Sequence, residues 1–398
     1  NISTLTVLYY IDLDNLKYIN HLFGQDVGDE LLKKVADILK NMIALDPAYS
    51  IYKIAGDEFI VCQEGDFNLE QITDVAKSFI EAFDRTFFID NYNLSITASI
   101  GISYWDSCTT FPNMVGLDQC ENTLEALYKK AEVAMNYVKS TGKNNYKIFD
   151  PIMDEDIKYK AALEQELKQA LKHEQLVLFY QPKYNLSKDE FDGFEALVRW
   201  NHPTKGLVSP SKFISVAEES NLISEIGLWV LKKSCIFIKE FNEQHNKDFI
   251  VAVNASAVQL MDDGFEDSVF NVIKETGVNP QHLELEITES LFVSSLDLVF
   301  EKLNFFRNME ISIALDDFGT GYSSLTYLKT LPITTLKLDK TFIDDIVSSE
   351  VSLTIVKSVI QIAKSTGLKI IVEGVETKEQ LNILSTLGCD YIQGFYFS

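Results

Sequence analysis

Polar side chains that could bind metal or phosphate directly follow short apolar runs at eight places in the later part of the chain. They are Gln181, Glu195, Asn254, Glu286, the pair Asp316 and Asp317, Lys337, Glu373 and Gln393. Carboxylate and amide oxygens are ligands of hard divalent cations, and a pair of such ions promotes the hydrolysis of phosphate esters. Gathered in one pocket, these residues would form a metal-dependent phosphodiester-hydrolysing site.

The formal charge of this set points to two divalent cations. It holds five carboxylates and, among the strand-end residues, one cation, Lys337, which leaves a formal charge of −4. Each pair of like charges about 4 Å apart costs about 1 kcal/mol in water and about 4 kcal/mol at an effective dielectric of 20. Because no histidine lies at a strand end, two Mg²⁺ or Mn²⁺ ions are predicted rather than zinc.

The elements that would gather these residues are parallel strands joined by helices. Most of the apolar runs are separated by a stretch long enough for a crossover helix, as in a (β/α)8 barrel. In that fold the strand ends that carry chemistry open on one face. Gly319 and Gly321 indicate that the strand has ended at Asp316 and Asp317, so that both carboxylates can reach the metals. A lone strand-end glutamate is more often a surface residue, but convergence of the whole set is not expected by chance.

The first 150 residues predict a separate α/β domain. An apolar run over 5–11 predicts a strand, and apolar residues at helical spacing over 29–45 predict a helix. Two apolar segments within 51–62 flank an acidic turn, which predicts a hairpin. The domain is completed by a helix over 72–83, a strand over 94–104 and a helix over 124–139.

The rest of the chain divides into a connector and the barrel. Charged helix formers over 151–173, with Leu163, Leu167 and Leu171 on one side, predict a helical connector. The same pattern also suits the first helix of the barrel. The barrel is expected over 174–398, and the fold class is α/β.

Size, charge and cysteine content restrict the class of protein. A chain of 398 residues fits a barrel of roughly 250 residues plus a smaller domain. A net charge of −24 argues against a nucleic-acid duplex as partner, because phosphate backbones select basic surfaces. The five cysteines form no C-x-x-C pair, which favours a reducing cytoplasm. No apolar run approaches the ~20 residues of a membrane span. We expect a cytoplasmic segment whose upstream sensor, with any membrane tether, is missing from this sequence.

Short motifs at the strand ends carry a family likeness. They are Glu195-Ala-Leu-Val-Arg-Trp200, Val253-Asn254, Glu286-Ile-Thr-Glu289, Asp316-Asp-Phe-Gly-Thr-Gly321, Lys337-Leu-Asp339, Glu373-Gly-Val-Glu376 and Gln393-Gly394. Together they resemble the EAL-type cyclic-di-GMP phosphodiesterases over nearly all of residues 160–398. The resemblance implies a TIM-like barrel that opens cyclic-di-GMP to linear pGpG, and no motif position departs from the family's pattern.

The same resemblance implies a metal site for two ions. One metal would be held by Glu195, Asn254, Glu286 and Asp316. The other would be held by Asp316 and Asp317, with help through water from Glu373 and Gln393.

Catalytic and substrate-binding roles also follow from the resemblance. Lys337 would contact the nucleophilic water, Glu373 would act beside it, and Glu289 would brace the loop that ends at Ser324. The substrate contacts would be Gln181 and Arg199. Arg199 suits this role because a guanidinium pairs bidentately with phosphate, although a salt bridge at the rim is the simpler alternative.

A second set of motifs lies in the first domain. It comprises Asp12-Leu13-Asp14, Lys17, Asn20, Gly28-Asp29, Ala55-Gly-Asp57-Glu58-Phe59, Lys139 and Gly142-Lys143-Asn144. These motifs resemble the GGDEF diguanylate cyclases over residues 5–149, which implies a nucleotidyl-cyclase-like fold and a pocket for GTP with Mg²⁺. The implied metal ligands are Asp12, the Leu13 carbonyl and Asp57, with Glu58 in the same signature. Guanine would contact Asn20 and Asp29, and phosphate would contact Lys17, Lys139 and Lys143.

The first domain departs from that family at several positions. Ala55 replaces the first glycine of the signature, where a methyl group would crowd the nucleotide and restrict the backbone. Cyclase turnover is therefore in doubt, whereas GTP binding need not be. Asp46 and Tyr49 occupy the places of the Arg and Asp of the product-inhibition motif, so no inhibitory site is expected there. Further departures are Leu16, His21, Gln25, Met135 and Asn136.

Three hypotheses follow for the whole chain. The leading one is a metal-dependent cyclic-di-GMP phosphodiesterase whose first domain binds GTP and adjusts the activity of the barrel. The second is a bifunctional enzyme that also makes cyclic-di-GMP, which would require a homodimer with one GTP in each facing domain. The third is a receptor without catalysis, and it is disfavoured because receptors of this kind typically lose metal ligands.

Overall fold

The computed structural model describes residues 5–43, 46–89, 92–106, 123–289, 291, 296–319, 328 and 330–397. The chain forms two compact units, which divide between Ala162 and Leu163. Each unit has its own sheet and its own hydrophobic core.

A five-stranded sheet forms the centre of the first unit. Its strands are β1 (Leu5–Leu13), β2 (Tyr49–Lys53), β3 (Glu58–Gly65), β6 (Ala98–Asp106) and β7 (Asn145–Ile148), while β4 (Thr86–Ile89) and β5 (Tyr92–Ser95) form a separate hairpin. The sheet order is β2-β3-β1-β6-β7, with β1 antiparallel to both neighbours and β6 parallel to β7. The predicted first strand and the predicted hairpin within 51–62 are confirmed.

Helices cover both faces of this sheet. They are α1 (Leu16–Phe23), α2 (Gln25–Ile43), α3 (Leu69–Phe83) and α4 (Leu124–Ser140). Alternate residues of β1 enter different cores: Tyr9 packs in the cluster that contains α2 and α3, and Tyr10 packs in the cluster that contains α4. The helix predicted over 29–45 is confirmed as α2, which begins earlier, at Gln25. Helix α1 was not predicted, and it is separated from α2 by Gly24, whose φ of 93° favours glycine.

Gly101 lets strand β6 approach helix α4 closely. A Cβ atom at this position would lie 1.9 Å from the carbonyl oxygen of Ala131 and 2.2 Å from the backbone nitrogen of Met135. Because both atoms belong to the backbone, Gly101→Ala must displace the helix from the sheet. We expect the free energy of unfolding to fall by about 1 to 3 kcal/mol, measured by urea denaturation followed by circular dichroism.

A glycine with free space provides the control for that substitution. A Cβ at Gly264 would meet its nearest neighbouring atom, Asp262 Oδ1, only at 3.8 Å. Gly264→Ala is therefore expected to leave the denaturation midpoint almost unchanged. Equal stability of Gly101→Ala and the wild-type chain would contradict the close packing of β6 on α4.

The second unit is a closed barrel of eight strands. They are β8 (Leu176–Asn185), β9 (Glu190–His202), β11 (Ile250–Asn254), β12 (Leu283–Thr288), β13 (Ser312–Phe318), β14 (Thr335–Leu338), β15 (Lys369–Val372) and β16 (Tyr391–Ile392). A short strand, β10 (Gly206–Val208), extends the sheet from β9. The barrel closes because β8 pairs with both β9 and β16. The expected TIM-like fold class is confirmed.

One strand departs from the predicted all-parallel barrel. β8 is antiparallel to both of its neighbours, whereas β9 and the strands that follow around the barrel are parallel. Only residues 186–189 separate β8 from β9. Such a short connection permits a hairpin but not the crossover that a parallel pair needs. Gln181 nevertheless reaches the predicted site, because the hairpin register places it directly opposite Glu195.

Helices surround the barrel. They are α6 (Pro210–Glu219), α7 (Ile223–His245), α8 (Ala257–Leu260), α9 (Phe265–Thr276), α10 (Leu296–Asn308), α11 (Glu350–Thr366) and α12 (Lys378–Leu387). Helix α5 (Pro151–Lys172) occupies the predicted connector, and its Leu163, Leu167 and Ala170 are buried in the core of the barrel. Among the described residues, no helix combines the length and apolar character that a bilayer crossing requires.

Candidate active site

Lys337 on β14 lies at the centre of the residues predicted at strand ends, with its side chain 1% exposed. The predicted position is wrong for Gln181 and Glu195, which lie within β8 and β9 rather than at their ends. Lys337 Nζ contacts four carboxylates, at 2.7 Å from Glu373, 2.8 Å from Glu286, 3.1 Å from Asp316 and 3.3 Å from Glu195. These acids come from β9, β12, β13 and the residue after β15. The barrel thus brings together acids that are far apart in the sequence.

Three amide side chains complete this cluster. Asn254 Nδ2 donates to Glu195 Oε1 at 3.0 Å, and Gln393 Nε2 donates to Glu195 Oε2 at 2.7 Å and to Gln181 Oε1 at 2.9 Å. The carbonyl oxygen of Gln393, Oε1, is buried without a hydrogen-bond partner among the described residues. A buried acceptor without a partner indicates a bound ion or an ordered water.

Asp316 and Asp317 reach the same side of the barrel through a bulge. The prediction that the strand has ended at this pair is wrong, because β13 continues to Phe318. A register shift between Leu315 and Phe318, together with the φ of 54° at Asp317, breaks the usual alternation of side chains. One ligand oxygen from each of Asp316, Asp317 and Glu373 lies within 4.8 Å of the others. Gly321, which had suggested the strand end, lies outside the described residues.

Glu289 and Arg199 are the remaining residues predicted at this site. Gly319 N donates to Glu289 Oε2 at 3.3 Å, so Glu289 contacts the start of the loop after β13. Ser324, the far end of the loop that Glu289 was predicted to brace, lies outside the described residues. Arg199 is half-buried on β9, and its guanidinium carbon lies 5.9 Å from the centre of the Phe179 ring. Phe179 is 50% exposed, so this pair presents an aromatic face beside a cation.

A second buried lysine was missed in the sequence. Lys183 Nζ donates to Glu284 Oε1 at 2.9 Å and to Glu286 Oε1 at 2.8 Å. The count of one cation covered the strand-end residues alone and did not include Lys183, but Lys183 and Glu284 cancel, so the formal charge stays at −4. The period of two along a strand was the available signal, since Lys183 follows Gln181 and Glu284 precedes Glu286 by two residues.

Burial and neighbouring charges shift the pKa values of the acids in different directions. Burial would raise the pKa of Glu195, but Lys337 and Lys183 outweigh it and lower that pKa to about 2. Burial, reinforced by Glu195, raises the pKa of Glu286 to about 8 despite both lysines. Burial also raises the pKa of Glu373 to about 7, with Lys337 acting against it. The lysines alone therefore do not favour full ionisation of the cluster, and an additional cation would.

The donor set fits divalent ions of the oxygen-preferring kind. The clustered oxygens of Asp316, Asp317 and Glu373 and the unpartnered Gln393 Oε1 are all hard ligands, as Mg²⁺ and Mn²⁺ require. Glu195, Glu286 and Asn254 adjoin them through the contacts described above. This arrangement can bind phosphate oxygens through cations and can place Lys337 beside a reacting group.

The first unit gathers part of its predicted nucleotide set at the end of β1. Asp12 lies opposite Glu58 in the sheet register, and Leu13 N donates to the carbonyl oxygen of Asp57 at 3.2 Å. Asp12 Oδ2 lies 2.6 Å from Lys139 Nζ, while its buried Oδ1 has no hydrogen-bond partner among the described residues. Burial raises the pKa of Asp12 to about 6, with Lys139 acting against it. The orphaned oxygen is suited to a cation.

The predicted guanine and phosphate contacts are more dispersed. Asn20 Oδ1 is also buried without a partner in the described part of the chain, and a Cβ at Gly28 would lie 1.7 Å from it. Lys17 on α1 and Asp29 on α2 are exposed. Lys143 Nζ donates to Asn15 Oδ1 at 2.8 Å.

Three acidic or phenolic side chains of the first unit accept hydrogen bonds within that unit. Asp14 accepts from Thr97 Oγ1 at 2.8 Å and from Ser99 Oγ at 2.7 Å. Asp46 Oδ1 accepts from Ala48 N at 2.9 Å, and Tyr49 accepts from the side chain of a buried glutamine on β3 at 2.7 Å. Asp46 and Tyr49 are thus already engaged where a product-inhibition motif would lie.

The chain matches two protein families over most of its length. Residues 164–398 match the EAL domain, and residues 2–145 match the diguanylate cyclase GGDEF domain. The bifunctional diguanylate cyclase/cyclic di-GMP phosphodiesterase MucR of Pseudomonas aeruginosa is 36% identical over 97% of this chain and 54% of its own length. The cyclic di-GMP phosphodiesterase NbdA of the same organism is 35% identical over 98% of this chain and 48% of its own length. The chain therefore spans about half the length of these relatives.

Solved structures give the same result for the barrel. The PaMucR phosphodiesterase in complex with c-di-GMP has a TM-score of 0.58 and 41% identity, covering 60% of this chain and 96% of that chain. The EAL enzyme Bd1971 bound to cAMP and cyclic-di-GMP has a TM-score of 0.59 and 29% identity, covering 78% of this chain and 82% of that chain.

Proposed function

The chain belongs to the EAL family and carries a GGDEF domain before its EAL domain, and from this premise we propose that its barrel hydrolyses cyclic-di-GMP to linear pGpG. The observation that carries the proposal is the convergence of four acids on Lys337, next to the clustered oxygens of Asp316 and Asp317. Relatives with cyclic-di-GMP phosphodiesterase in their names support the choice of substrate.

The proposed metal ligands fall into two groups. Glu195, Asn254, Glu286 and Asp316 would hold one divalent ion, and Asp316 and Asp317, helped through water by Glu373 and Gln393, would hold the other. When bound, such ions supply an acidified water and a positive clamp for the phosphoryl oxygens.

The residues of the chain orient the reactants around these ions. Lys337, held by Glu286 and Glu373, would donate a hydrogen bond to the attacking water and keep its lone pair directed at phosphorus. Arg199 would pair with the other phosphate of the ring, and Gln181, fixed by Gln393, would bind the substrate beside it. Glu289 would hold the loop after β13 through Gly319.

A direct assay tests this function. The purified chain is incubated with cyclic-di-GMP and Mg²⁺ or Mn²⁺, and the products are separated by chromatography, with EDTA in a parallel sample. We expect pGpG to appear only with the metal. Unchanged cyclic-di-GMP across metal and protein concentrations would reject catalysis and leave the receptor hypothesis.

The first domain is proposed to bind GTP with Mg²⁺ and to adjust the activity of the barrel. The supporting observations are two buried orphaned oxygens, Asp12 Oδ1 and Asn20 Oδ1. Cyclase activity in a homodimer is the second candidate, favoured by the bifunctional name of MucR. A cytoplasmic location, where GTP is supplied, is part of this proposal.

The Asn20 oxygen provides a test of GTP binding. Guanine carries N–H donors that would satisfy this buried acceptor, so Asn20→Ala is expected to weaken GTP binding about tenfold, as for ~1.4 kcal/mol. Isothermal titration calorimetry with GTP measures the change. Asn93→Ala, an exposed asparagine on β5, is the control and should bind GTP as the wild-type chain does. Equal affinity of Asn20→Ala and the wild type, or no heat from the wild type, would contradict the proposed pocket.

A further inference from the structure

Lys183 is buried in the barrel, and the proposed mechanism gives it no role. It lies on β8 and is 5% exposed. Its ammonium group donates to Glu284 and Glu286, both on β12. Strands β8 and β12 are not neighbours in the sheet, since β9 and β11 lie between them. Lys183 therefore links two strands across the interior of the barrel.

Glu286 is held at both of its oxygens. Oε1 accepts from Lys183 at 2.8 Å, and Oε2 accepts from Lys337 at 2.8 Å. Each carboxylate oxygen has two lone pairs, so each retains one for a cation. The orientation of Glu286 is thus fixed by the protein alone.

Glu284 anchors the lysine from the other side. Its Oε1 accepts from Lys183 at 2.9 Å, and its Oε2 accepts from Thr335 Oγ1 at 2.8 Å. Both oxygens of Glu284 are therefore used within the fold. Because Glu284 lies two residues before Glu286 on the same face of β12, it is one layer further from the strand ends.

We infer that Lys183 is a positioning residue for the metal site. Glu284 anchors Lys183, and Lys183 holds Glu286 in the orientation that binds a divalent cation. The inference rests on the proposed function in one respect, the assignment of Glu286 as a metal ligand. A merely structural Lys183 would neutralise Glu284 and nothing more. Removal of both charges separates these two roles.

The experiment measures Mn²⁺ binding by isothermal titration calorimetry and the melting temperature without metal. Lys183→Met is expected to bind Mn²⁺ about 10- to 100-fold more weakly, with a lower melting temperature. The double variant Lys183→Met/Glu284→Gln removes one positive and one negative charge, so it should regain stability while its Mn²⁺ affinity stays low. If Lys183→Met does not fold, the Mn²⁺ affinity of the double variant alone tests whether Lys183 positions Glu286. Thr335→Val should melt at a lower temperature but keep its Mn²⁺ affinity within about twofold.

Two results would overturn the inference. One is a double variant that binds Mn²⁺ as tightly as the wild-type chain, and the other is a wild-type chain that binds no Mn²⁺. The proposed function fails by a different observation, namely a wild-type chain that binds Mn²⁺ but leaves cyclic-di-GMP intact. Metal binding and hydrolysis are thus measured independently.

Discussion

Asp316→Asn is expected to lower the rate of cyclic-di-GMP hydrolysis by about 10³-fold or more. Asp316 is the residue proposed to bind both metal ions, and loss of its charge removes several kcal/mol of stabilisation from the transition state. Asparagine has nearly the same shape, and Asp316 lies at the mouth of the barrel with 8% exposure. The fold should therefore stay largely intact. Chromatography of pGpG formed with Mn²⁺, together with thermal unfolding of the same sample, measures both effects.

An exposed aspartate in the same unit provides the control. Asp263→Asn makes the same chemical change outside the cluster and should keep the wild-type rate. If Asp316→Asn kept a rate within tenfold of wild type, the proposed sharing of this carboxylate between two ions would be wrong.

Lys337→Met is expected to make the barrel unstable in the absence of metal and to abolish hydrolysis in its presence. Four carboxylates contact this lysine, which is 1% exposed, so its removal leaves buried negative charge without a partner. Such a loss costs about 3 to 5 kcal/mol. Divalent ions restore positive charge to the same acids, so Mn²⁺ should recover part of the lost stability. Hydrolysis should not recover, because Lys337 itself would contact the attacking water.

A buried lysine outside the pocket distinguishes this effect from the general cost of removing a buried charge. Lys302 is 4% exposed, and its Nζ donates to Glu266 Oε2 at 2.9 Å and to the Asp262 carbonyl at 2.7 Å. Lys302→Met should lower the melting temperature by a comparable amount, but without recovery on addition of Mn²⁺. Recovery of the melting temperature by Mn²⁺ in Lys302→Met, or no recovery in Lys337→Met, would contradict the proposed binding of divalent ions by the acids around Lys337.

The sequence predicted the barrel well because the physical signal was repeated. Each apolar run ended in a polar residue, and parallel strands place such ends on one face. The direction of β8 was not predicted, because the apolar runs that end at Gln181 and begin at Phe194 leave room for a crossover, and only the structure shows that both strands extend until four residues separate them. Helix α1 was missed although it buries Leu16 and Ile19 on one side, because its eight residues are shorter than the window in which a helical period is recognised.

The residues of the site near the mouth of the barrel were predicted from the sequence, whereas Lys183, which lies deeper in the barrel, was not. Glu286 and Lys337 lie near the carboxyl ends of β12 and β14, and Glu195, although within β9, directly precedes an apolar run that the sequence shows. Lys183 lies inside a strand, and only the closure of the barrel shows that its ammonium group reaches Glu286. The bulge at Asp317 was missed for another reason, since a positive φ in an aspartate is fixed by tertiary packing rather than by the local sequence.

The most direct test of the metal centre is anomalous diffraction from crystals of the chain grown or soaked with Mn²⁺. We predict two anomalous peaks at the barrel mouth, one ligated by Glu195, Asn254, Glu286 and Asp316 and the other by Asp316 and Asp317. Absence of anomalous density there, with Glu195, Glu286 and Asp316 still in contact with Lys337, would contradict a two-metal phosphodiesterase.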